Sequence, residues 1–292
     1  MTALSPPRVL LNGSPTATLD PADRGLAYGD GLFRTLRLRD GTPCLWDWHW
    51  ARLQADCAAL ALPCPEAATL LAELHRVSAD LPQAIGKITL TRGLAPRGLA
   101  PRGYAPPTLP QTHATRVVQA APRVTSPLWT SPHGVTVRDC TLQLSAQPRL
   151  AGVKHLNRLE NVLARAEWHD PKVAEGLLYT AAGQLIEGTM SNVFVRHGTR
   201  LRTPRLDQCG VAGAVRAWLL DTAPQLGLTA EEAALTAADL VTADEVWLCN
   251  AVIGVVPVAR WRDQTWEAFA LLPRVAAVWA REMGEGEAAT SA

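Results

Sequence analysis

Apolar residues follow the spacing of an amphipathic helix between Asp47 and Leu62. Trp50, Leu53, Cys57 and Leu60 lie three or four residues apart there, so a helix would carry them on one face. This pattern predicts a helix over residues 47–62. Similar patterns predict further helices over residues 66–80, 156–169, 211–222 and 266–282.

The segment 156–169 also has a helical pattern. Leu156, Leu159, Leu163 and Ala166 are predicted to lie along one face of that helix.

Other segments alternate apolar and polar residues or are rich in β-branched residues, and both features favour strands. Asn12-Gly13 and Asp40-Gly41 add typical hairpin turns after two of them. Strands and helices are mixed in both halves, so we expect an α/β (α+β) fold class. The predicted strands are 8–11, 35–39, 84–91, 115–120, a strand around 135, 176–180, 191–196 and 245–250.

The chain length suggests either one large domain or two medium domains. It has 292 residues, and domains average about 150. The stretch 121–131 is rich in Pro, Ser and Thr and is typical of a linker. We therefore expect an N-terminal α/β domain over 1–120 and a C-terminal α/β domain over 132–292.

Composition excludes several functional classes. The formal net charge of +1 does not favour a nucleic-acid or anionic-membrane partner. No apolar stretch approaches the about 18 residues of a membrane helix, and the N-terminus lacks the pattern of a signal peptide. We expect a cytoplasmic protein. The six cysteines form no C-x-x-C pair and the seven histidines no H-x-x-x-H pair, so we expect no metal site.

Four separate features could carry chemistry. Lys154, in GVKHLNRLEN, could be a nucleophilic amine or an ordinary solvated lysine. Glu187, in LIEGTMSNVFV, could be a functional carboxylate or a turn-capping residue. The small residues 210–213 precede a predicted helix and could either bind phosphate through free N–H groups or pack tightly. Arg52, taken alone, is an ordinary surface charge.

Together, these features match one cofactor. Enzymes that use pyridoxal phosphate (PLP) need a lysine to hold the cofactor covalently, an acid beside its ring nitrogen and a phosphate site. The chain offers Arg52, Lys154, Glu187 and Gly210 in that order.

The motifs around these residues resemble the fold-type IV PLP enzymes over about residues 10–257. That family includes branched-chain and D-amino acid aminotransferases and aminodeoxychorismate lyases, and several motifs are most similar to the lyase branch. The resemblance implies two domains with PLP in the interdomain cleft. The segments that carry it are DRGLAYGDGLFRT (23–35), HWARL (49–53), PRGY (101–104), KHLNRLENVLAR (154–165), EGTMSNVF (187–194), TPRLDQCGVAGAVR (203–216) and CNAV (249–252).

The resemblance implies roles for the cofactor-binding residues. Lys154 would hold PLP covalently and move the substrate proton. Glu187 would keep the ring nitrogen protonated, and Arg52 would bind the phosphate through its planar guanidinium. Backbone groups of four residues would complete the phosphate site: Val211, Ala212, Asn250 and Ala251.

Further residues would contact the substrate. One of them, Thr35, would also carry a hydroxyl group that takes part in proton transfer. In the family the PRGY loop reaches the neighbouring subunit's site, where Arg102 and Tyr104 would meet a substrate carboxylate. The doubled LAPRG sequence (94–98 and 99–103) leaves Arg97 as an alternative to Arg102. The residues expected to line the substrate side are Tyr28, Phe33 and Thr35.

The resemblance implies a homodimer that converts 4-amino-4-deoxychorismate into 4-aminobenzoate and pyruvate. Two alternatives stay open. One is an aminotransferase acting on D-amino or branched-chain amino acids, because it needs the same Lys, Glu and Arg. The other is a member with a binding or structural role, which would be expected to lack the Lys or the Glu.

Overall fold

The computed structural model describes residues 8–94, 103–106, 113–131 and 133–284. It divides into two compact units. The first contains the described residues up to Val124 together with Val153–Asn157, and the second contains Thr125–Gly152 and the residues from Arg158 onward. The change of unit after Val124 falls inside the predicted linker 121–131. The return of Val153–Asn157 to the first unit differs from the predicted division into two consecutive domains.

An antiparallel sheet forms the first unit, with strand order β1-β5-β4-β2-β3. A 14-residue helix (α2) and a 12-residue helix (α3) accompany it. The elements are β1 (Arg8–Leu11), α1 (Arg24–Tyr28), β2 (Gly31–Arg39), β3 (Thr42–Pro43), α2 (Trp46–Ala59), α3 (Ala67–Ser78), β4 (Gln83–Leu94) and β5 (His113–Pro122).

Residue alternation along β2 gives its two faces different roles. Leu32, Leu36 and Leu38 are buried in one apolar cluster with Leu53 of α2 and Leu74 of α3. The intervening positions, which include Phe33 and Thr35, face the opposite side of the sheet. The core of this unit therefore lies between the sheet and its two long helices.

The second unit contains a mixed ten-stranded sheet, ordered β11-β10-β9-β13-β14-β6-β7-β8-β12, with β15 paired to β14. The pairs β10–β11, β14–β6 and β6–β7 are parallel. The elements are β6 (Val135–Leu144), α4 (Leu159–Arg165), β7 (Val173–Thr180), β8 (Gln184–Gly188), β9 (Asn192–His197), β10 (Arg200–Pro204), α5 (Ala214–Thr222), β11 (Thr229–Ala233), β12 (Leu235–Thr236), α6 (Ala237–Val241), β13 (Glu245–Asn250), β14 (Gly254–Trp261), β15 (Gln264–Thr265) and α7 (Leu272–Glu282).

Several predicted elements are confirmed. For others, the structure corrects the residues at which the element begins or ends. The strands 8–11 and 245–250 have the predicted bounds. The helix predicted over 156–169 is only Leu159–Arg165, and its Leu159 and Leu163 are exposed rather than packed. Helix 266–282 begins at Leu272. The five-residue strands β8 and β10 were not predicted, because short apolar runs carry no distinct period. The eight-residue strand β14 was also not predicted.

Within the described part of the chain, no helix combines the length and the apolar character needed to cross a membrane.

Candidate active site

Lys154 is held at the edge of the first unit's sheet by main-chain bonds. The N–H of Phe33 donates to the carbonyl of Lys154 at 3.0 Å, and the N–H of Leu156 donates to the carbonyl of Gly31 at 2.9 Å. The Asn157 side chain donates to the carbonyl of Gly29 at 3.1 Å. The segment Val153–Asn157 therefore runs beside the start of β2, and this pairing places Lys154 in the first unit.

The Lys154 side chain lies against an aromatic ring. Its Nζ is 4.5 Å from the centroid of the Phe33 ring. Thr35 is two residues further along β2 and so shares the face of Phe33. Lys87 of β4 pairs with Thr35, and its Nζ is 5.1 Å from the same ring. Two of the three lysines of the chain thus meet one phenyl ring.

Sequence reasoning assigned no role to Lys87. The sequence feature that could have pointed to Lys87 is the alternation of buried and less buried residues along β4. Ala84, Ile88 and Leu90 are buried, and Lys87 lies on the opposite face of the strand. That face becomes informative only once β2 and β4 are known to be neighbours.

A buried carboxylate connects Lys154 with Arg52. Asp56 Oδ2 accepts the backbone N–H of Lys154 at 3.2 Å, and Asp56 Oδ1 is 3.5 Å from Arg52 Nη2. Arg34, on the buried face of β2, also donates to Asp56 Oδ2. Arg34 and Asp56 were not predicted as site residues, because nothing in the sequence indicates that β2 and α2 present them to each other.

His49 is a buried base close to this cluster. Burial, together with the positive charges of Arg34 and Lys154, lowers the pKa of His49 to about 3. His49 is therefore a neutral imidazole at physiological pH, and the positive charges here are those of Arg34, Arg52 and Lys154.

Tyr28 and Tyr104 meet each other in the first unit. Their ring centroids are 5.5 Å apart in an edge-to-face arrangement. Arg24 lies 4.9 Å from the Tyr28 ring centroid and donates to the Tyr104 carbonyl at 3.0 Å. Tyr104 itself is 84% exposed, as a residue that contacts a substrate or a second chain must be before binding. Arg97 and Arg102 lie outside the described residues.

In the second unit, Glu187 ends β8 and is almost fully buried. Its Oε2 accepts the N–H of Val211 at 2.7 Å. Gly210 makes this approach possible, because its φ of +86° suits glycine and a Cβ there would lie 2.7 Å from side chains of Ile186 and Leu206. The chain between β10 and α5 is thereby held against Glu187.

The expectation that Val211 and Ala212 carry free N–H groups is wrong. The Val211 N–H is used by Glu187, and the Ala212 N–H donates to the carbonyl of Gly152 at 3.0 Å. The cause is a bridge between Gly152 and Val211, which makes this turn part of a small parallel pairing. A phosphate role for these two groups would require one of these bonds to be exchanged.

Asn192, the first residue of β9, holds the same turn. Its side chain donates to the carbonyl of Val211 at 2.7 Å and accepts the N–H of Gly213 at 3.1 Å. Sequence reasoning did not single out Asn192, although it belongs to the EGTMSNVF motif. The available signal was an amide at the start of a strand, directly after a turn that contains Thr189 and Ser191.

Glu175 of β7 organises the turn that joins β8 to β9. This fully buried carboxylate accepts hydrogen bonds from Thr189, Met190 and Ser191. Burial raises the pKa of Glu175 above its ordinary value, and these hydrogen bonds oppose only part of that shift. Glu187 and Asn192 flank this turn, so Glu175 helps to fix the positions of both residues.

Asn250 and Ala251 lie where β13 ends. The Asn250 side chain donates to the carbonyl of Met190 at 2.9 Å and accepts the N–H groups of Val252 and Ile253. Asn250 therefore stabilises the tight turn between β13 and β14, with Ala251 inside it.

In the ranges that the structure describes, no three His, Cys, Asp or Glu side chains cluster as a metal site would require. The six cysteines are free thiols, four of them buried. What the described residues do offer is an amine, cationic groups, a hydroxyl and a buried carboxylate, which suit covalent and acid–base chemistry on an anionic molecule.

Comparison with known proteins supports the same chemistry. Residues 31–261 match the family model for amino-transferase class IV. The chain is 33% identical to the aminodeoxychorismate lyase of Vibrio harveyi over 249 residues, which is 85% of this chain and 89% of that protein. The crystal structure of 4-amino-4-deoxychorismate lyase from Pseudomonas aeruginosa aligns with a TM-score of 0.85 and 41% identity, covering 94% of this chain and 98% of that one.

Aminotransferases are also similar to the chain. The D-alanine aminotransferase of Listeria innocua is 29% identical over 245 residues, covering 83% of this chain and 82% of that protein. Both reaction types therefore occur among proteins of comparable length and sequence.

Proposed function

The chain belongs to the amino-transferase class IV family and has its fold-type IV architecture, and we propose that it is a PLP-dependent lyase. Its substrate is 4-amino-4-deoxychorismate, and its products are 4-aminobenzoate and pyruvate, as folate biosynthesis requires. The observation that carries this proposal is the similarity to two lyases, at 41% and 33% identity over most of the chain. The aminotransferase from Listeria innocua is less similar, at 29%.

The described residues fit PLP chemically. Lys154 supplies the amine for an aldehyde, and Arg52 supplies a planar guanidinium for a phosphate. Both are held by Asp56, through the Lys154 N–H and Arg52 Nη2. Glu187 supplies the buried acid that a ring nitrogen needs. When bound, PLP supplies an electron-withdrawing ring that stabilises negative charge on the carbon bearing the substrate amine.

The chain's own residues divide the remaining work. Lys154 Nζ removes the proton from the amine-bearing carbon, and the Phe33 ring beside it limits access of water to that amine. Glu187 keeps a proton on the ring nitrogen. Thr35, on the face of Phe33, handles a proton as the enolpyruvyl group leaves. Because loss of that group makes the substrate ring aromatic, the protein mainly has to orient the reactants.

Binding roles for the other predicted residues belong to the same proposal. Arg52 holds the phosphate. The turn residues named below would assist it, and for Val211 and Ala212 this requires that their N–H groups exchange the hydrogen bonds they now make. Tyr28, Phe33 and Tyr104 contact the substrate, together with Arg102 from outside the described ranges. The turn residues are Val211, Ala212, Asn250 and Ala251.

A homodimer is proposed as the working form. On α4, the side chains of Leu159, Val162 and Leu163 are 67%, 60% and 53% exposed. A contiguous apolar surface of this kind is typical of a protein interface. The cytoplasmic location and the lack of a nucleic-acid partner remain predictions from the sequence.

A turnover assay tests the lyase. Purified protein with PLP is mixed with 4-amino-4-deoxychorismate, and 4-aminobenzoate is followed by its fluorescence. We expect product from the wild type and none from Lys154→Ala. Borohydride reduction followed by peptide mass spectrometry should place the cofactor on Lys154. A Lys154→Ala protein with full activity would overturn the mechanism.

The aminotransferase is the second candidate, and the similarity to a D-alanine aminotransferase favours it. If the protein binds PLP at Lys154 but forms no 4-aminobenzoate, panels of amino acids and keto acids identify its substrates. A protein that cannot take up PLP at all would instead have a binding or structural role.

A further inference from the structure

Asp56 lies at the centre of a closed network in the first unit. Its side chain is 0% exposed and lies on α2, one turn after Arg52. Asp56 Oδ2 accepts the backbone N–H of Lys154 at 3.2 Å, and Asp56 Oδ1 is 3.5 Å from Arg52 Nη2. The two residues expected to hold opposite ends of the cofactor are therefore tied to the two oxygens of one carboxylate.

Arg34 completes this network from the neighbouring strand. It forms a buried ion pair with Asp56 Oδ2, and it donates to the carbonyl of Arg52 at 3.2 Å. Burial lowers the pKa of Arg34, and the Asp56 carboxylate opposes that shift. Arg34 thus neutralises Asp56 while also holding the main chain of Arg52.

A buried ion pair is a poor device for stability alone, because both charges lose their hydration. Apolar residues of similar volume would fill the space between β2 and α2 equally well, as they do elsewhere in this core. The carboxylate does something that an apolar side chain cannot do: it accepts bonds from Lys154 and Arg52 together.

We propose that Asp56 is a positioning residue, which fixes the Lys154 main chain and the Arg52 guanidinium relative to each other before the cofactor binds. Arg34 is its counter-charge. This inference rests on the proposed function only in that Lys154 and Arg52 are taken to bind PLP. Preorganisation of two binding groups lowers the ordering cost of binding, so its loss weakens cofactor affinity.

Two variants of this network test the proposal. Asp56→Asn removes the charge at nearly constant volume. The double variant Arg34→Met/Asp56→Leu replaces the ion pair with apolar residues, so that no buried charge is left unpaired. The matched control is Glu73→Leu/Arg116→Met, which removes another largely buried ion pair of the same unit, whose Arg116 Nη2 and Glu73 Oε1 are 2.6 Å apart.

The main measurement is the Kd of the apo proteins for PLP, with denaturant midpoints recorded in parallel. We expect both Asp56 variants to raise the Kd at least tenfold and the control to stay within twofold of the wild type. Wild-type affinity in both Asp56 variants would overturn the proposal. Equal weakening in all three variants would also overturn it, because the effect would then follow stability. If the double variant fails to fold, the comparison between Asp56→Asn and the control decides.

A spectroscopic readout separates positioning from general packing. Asp56→Asn removes a negative charge beside residue 154, so the absorbance band of the bound cofactor should titrate at lower pH than in the wild type. The control variant should leave that titration unchanged. An unshifted band in Asp56→Asn contradicts the proposal.

The proposed lyase function and the proposed role of Asp56 can be disproved independently of each other. A wild type that binds PLP at Lys154 without forming 4-aminobenzoate overturns the lyase, and the Asp56 comparison still stands on affinity. A wild type that turns over substrate, with Asp56 variants of unchanged PLP affinity, overturns only the role of Asp56.

Discussion

At the residue scale, the charge states and partners of the groups around Lys154 depend on burial and packing rather than on local sequence. His49 is neutral, Arg34 is paired with Asp56, and Phe33 covers the Lys154 amine. The Asp56 carboxylate pairs with the guanidinium groups of both Arg34 and Arg52 and so reduces the repulsion between them.

Glu187 offers the most direct residue-scale test of cofactor binding. Glu187→Gln preserves size but removes the charge that would face a protonated ring nitrogen. Hydrogen bonds to charged groups contribute about 1.5–3 kcal/mol, so we expect the Kd for PLP to rise about ten- to a hundred-fold. The measurement is a PLP titration of the apo protein. Glu231→Gln, at an exposed position of β11, is the control, and equal affinities for both variants would exclude Glu187 from the ring site.

His49 makes stability depend on pH. Its pKa is about 3 in the folded protein and about 6.5 when unfolded, so the unfolded chain binds more protons between these values. The free energy of unfolding therefore falls as the pH falls through this window. From pH 7 to pH 5, His49 should contribute a loss of about 2 kcal/mol.

Urea denaturation at the two pH values checks this contribution. His49→Gln should show a loss that is smaller than the wild-type loss by about the same 2 kcal/mol. His169→Gln, at an exposed position, should behave like the wild type. Identical pH dependence in all three proteins would mean that His49 titrates normally when folded.

At the element scale, the turn that precedes α5 depends on side chains from other strands. Glu187 of β8 holds the Val211 N–H, and Asn192 of β9 holds the carbonyl of Val211 and the N–H of Gly213. A Cβ at residue 213 would lie 2.4 Å from Asn192 Oδ1, so glycine is needed there. The start of α5 is thus built by the sheet and not by a capping side chain of its own, since its N-cap residue is Gly213.

Asn192→Ala should loosen this turn. It leaves two backbone groups without their partners, each costing about 1–3 kcal/mol, so we expect a destabilisation of about 2–6 kcal/mol and weaker PLP binding. Thermal denaturation and PLP titration are the measurements. Asn161→Ala, which removes one bond to the carbonyl of Thr189, should cost only about 1 kcal/mol. Equal losses for the two variants would mean that the turn does not depend on Asn192.

At the scale of the whole molecule, the apolar face of α4 bears on assembly. Leu159, Val162 and Leu163 are exposed although the pattern that predicted this helix is that of a core-facing element. We propose that a second copy of the chain buries this face.

Light scattering after size exclusion tests this assembly. We expect the wild type to have twice the 31.4 kDa chain mass. Leu159→Lys/Leu163→Lys should shift the mass to that of one chain, because buried lysines oppose association. Val241→Lys, at an exposed apolar position of α6, should keep the wild-type mass. A double variant with unchanged mass would show that α4 is not in the interface.

The amino-acid sequence was sufficient to predict the elements that have a long hydrophobic period. It was also sufficient to identify the motifs that define the family. The helix 47–62 was predicted within three residues of its observed ends, Trp46–Ala59, because its apolar spacing is sustained over several turns. Lys154 and Arg52 were singled out by their motifs, and the structure brings both to Asp56. Motifs identify such residues because the chemistry restricts which side chains can serve.

Where these residues lie and what they contact depend on how distant parts of the chain pack together. Lys154 belongs to the first unit because its segment pairs with β2, a long-range contact with no local signal. The N–H groups of Val211 and Ala212 are occupied because Glu187 and Gly152 come from distant parts of the chain. Asp56 became a functional candidate for the same reason: partners far apart in sequence meet only after strands and helices pack. Hydrophobic period is a local property, whereas hydrogen-bond partnership is decided by packing.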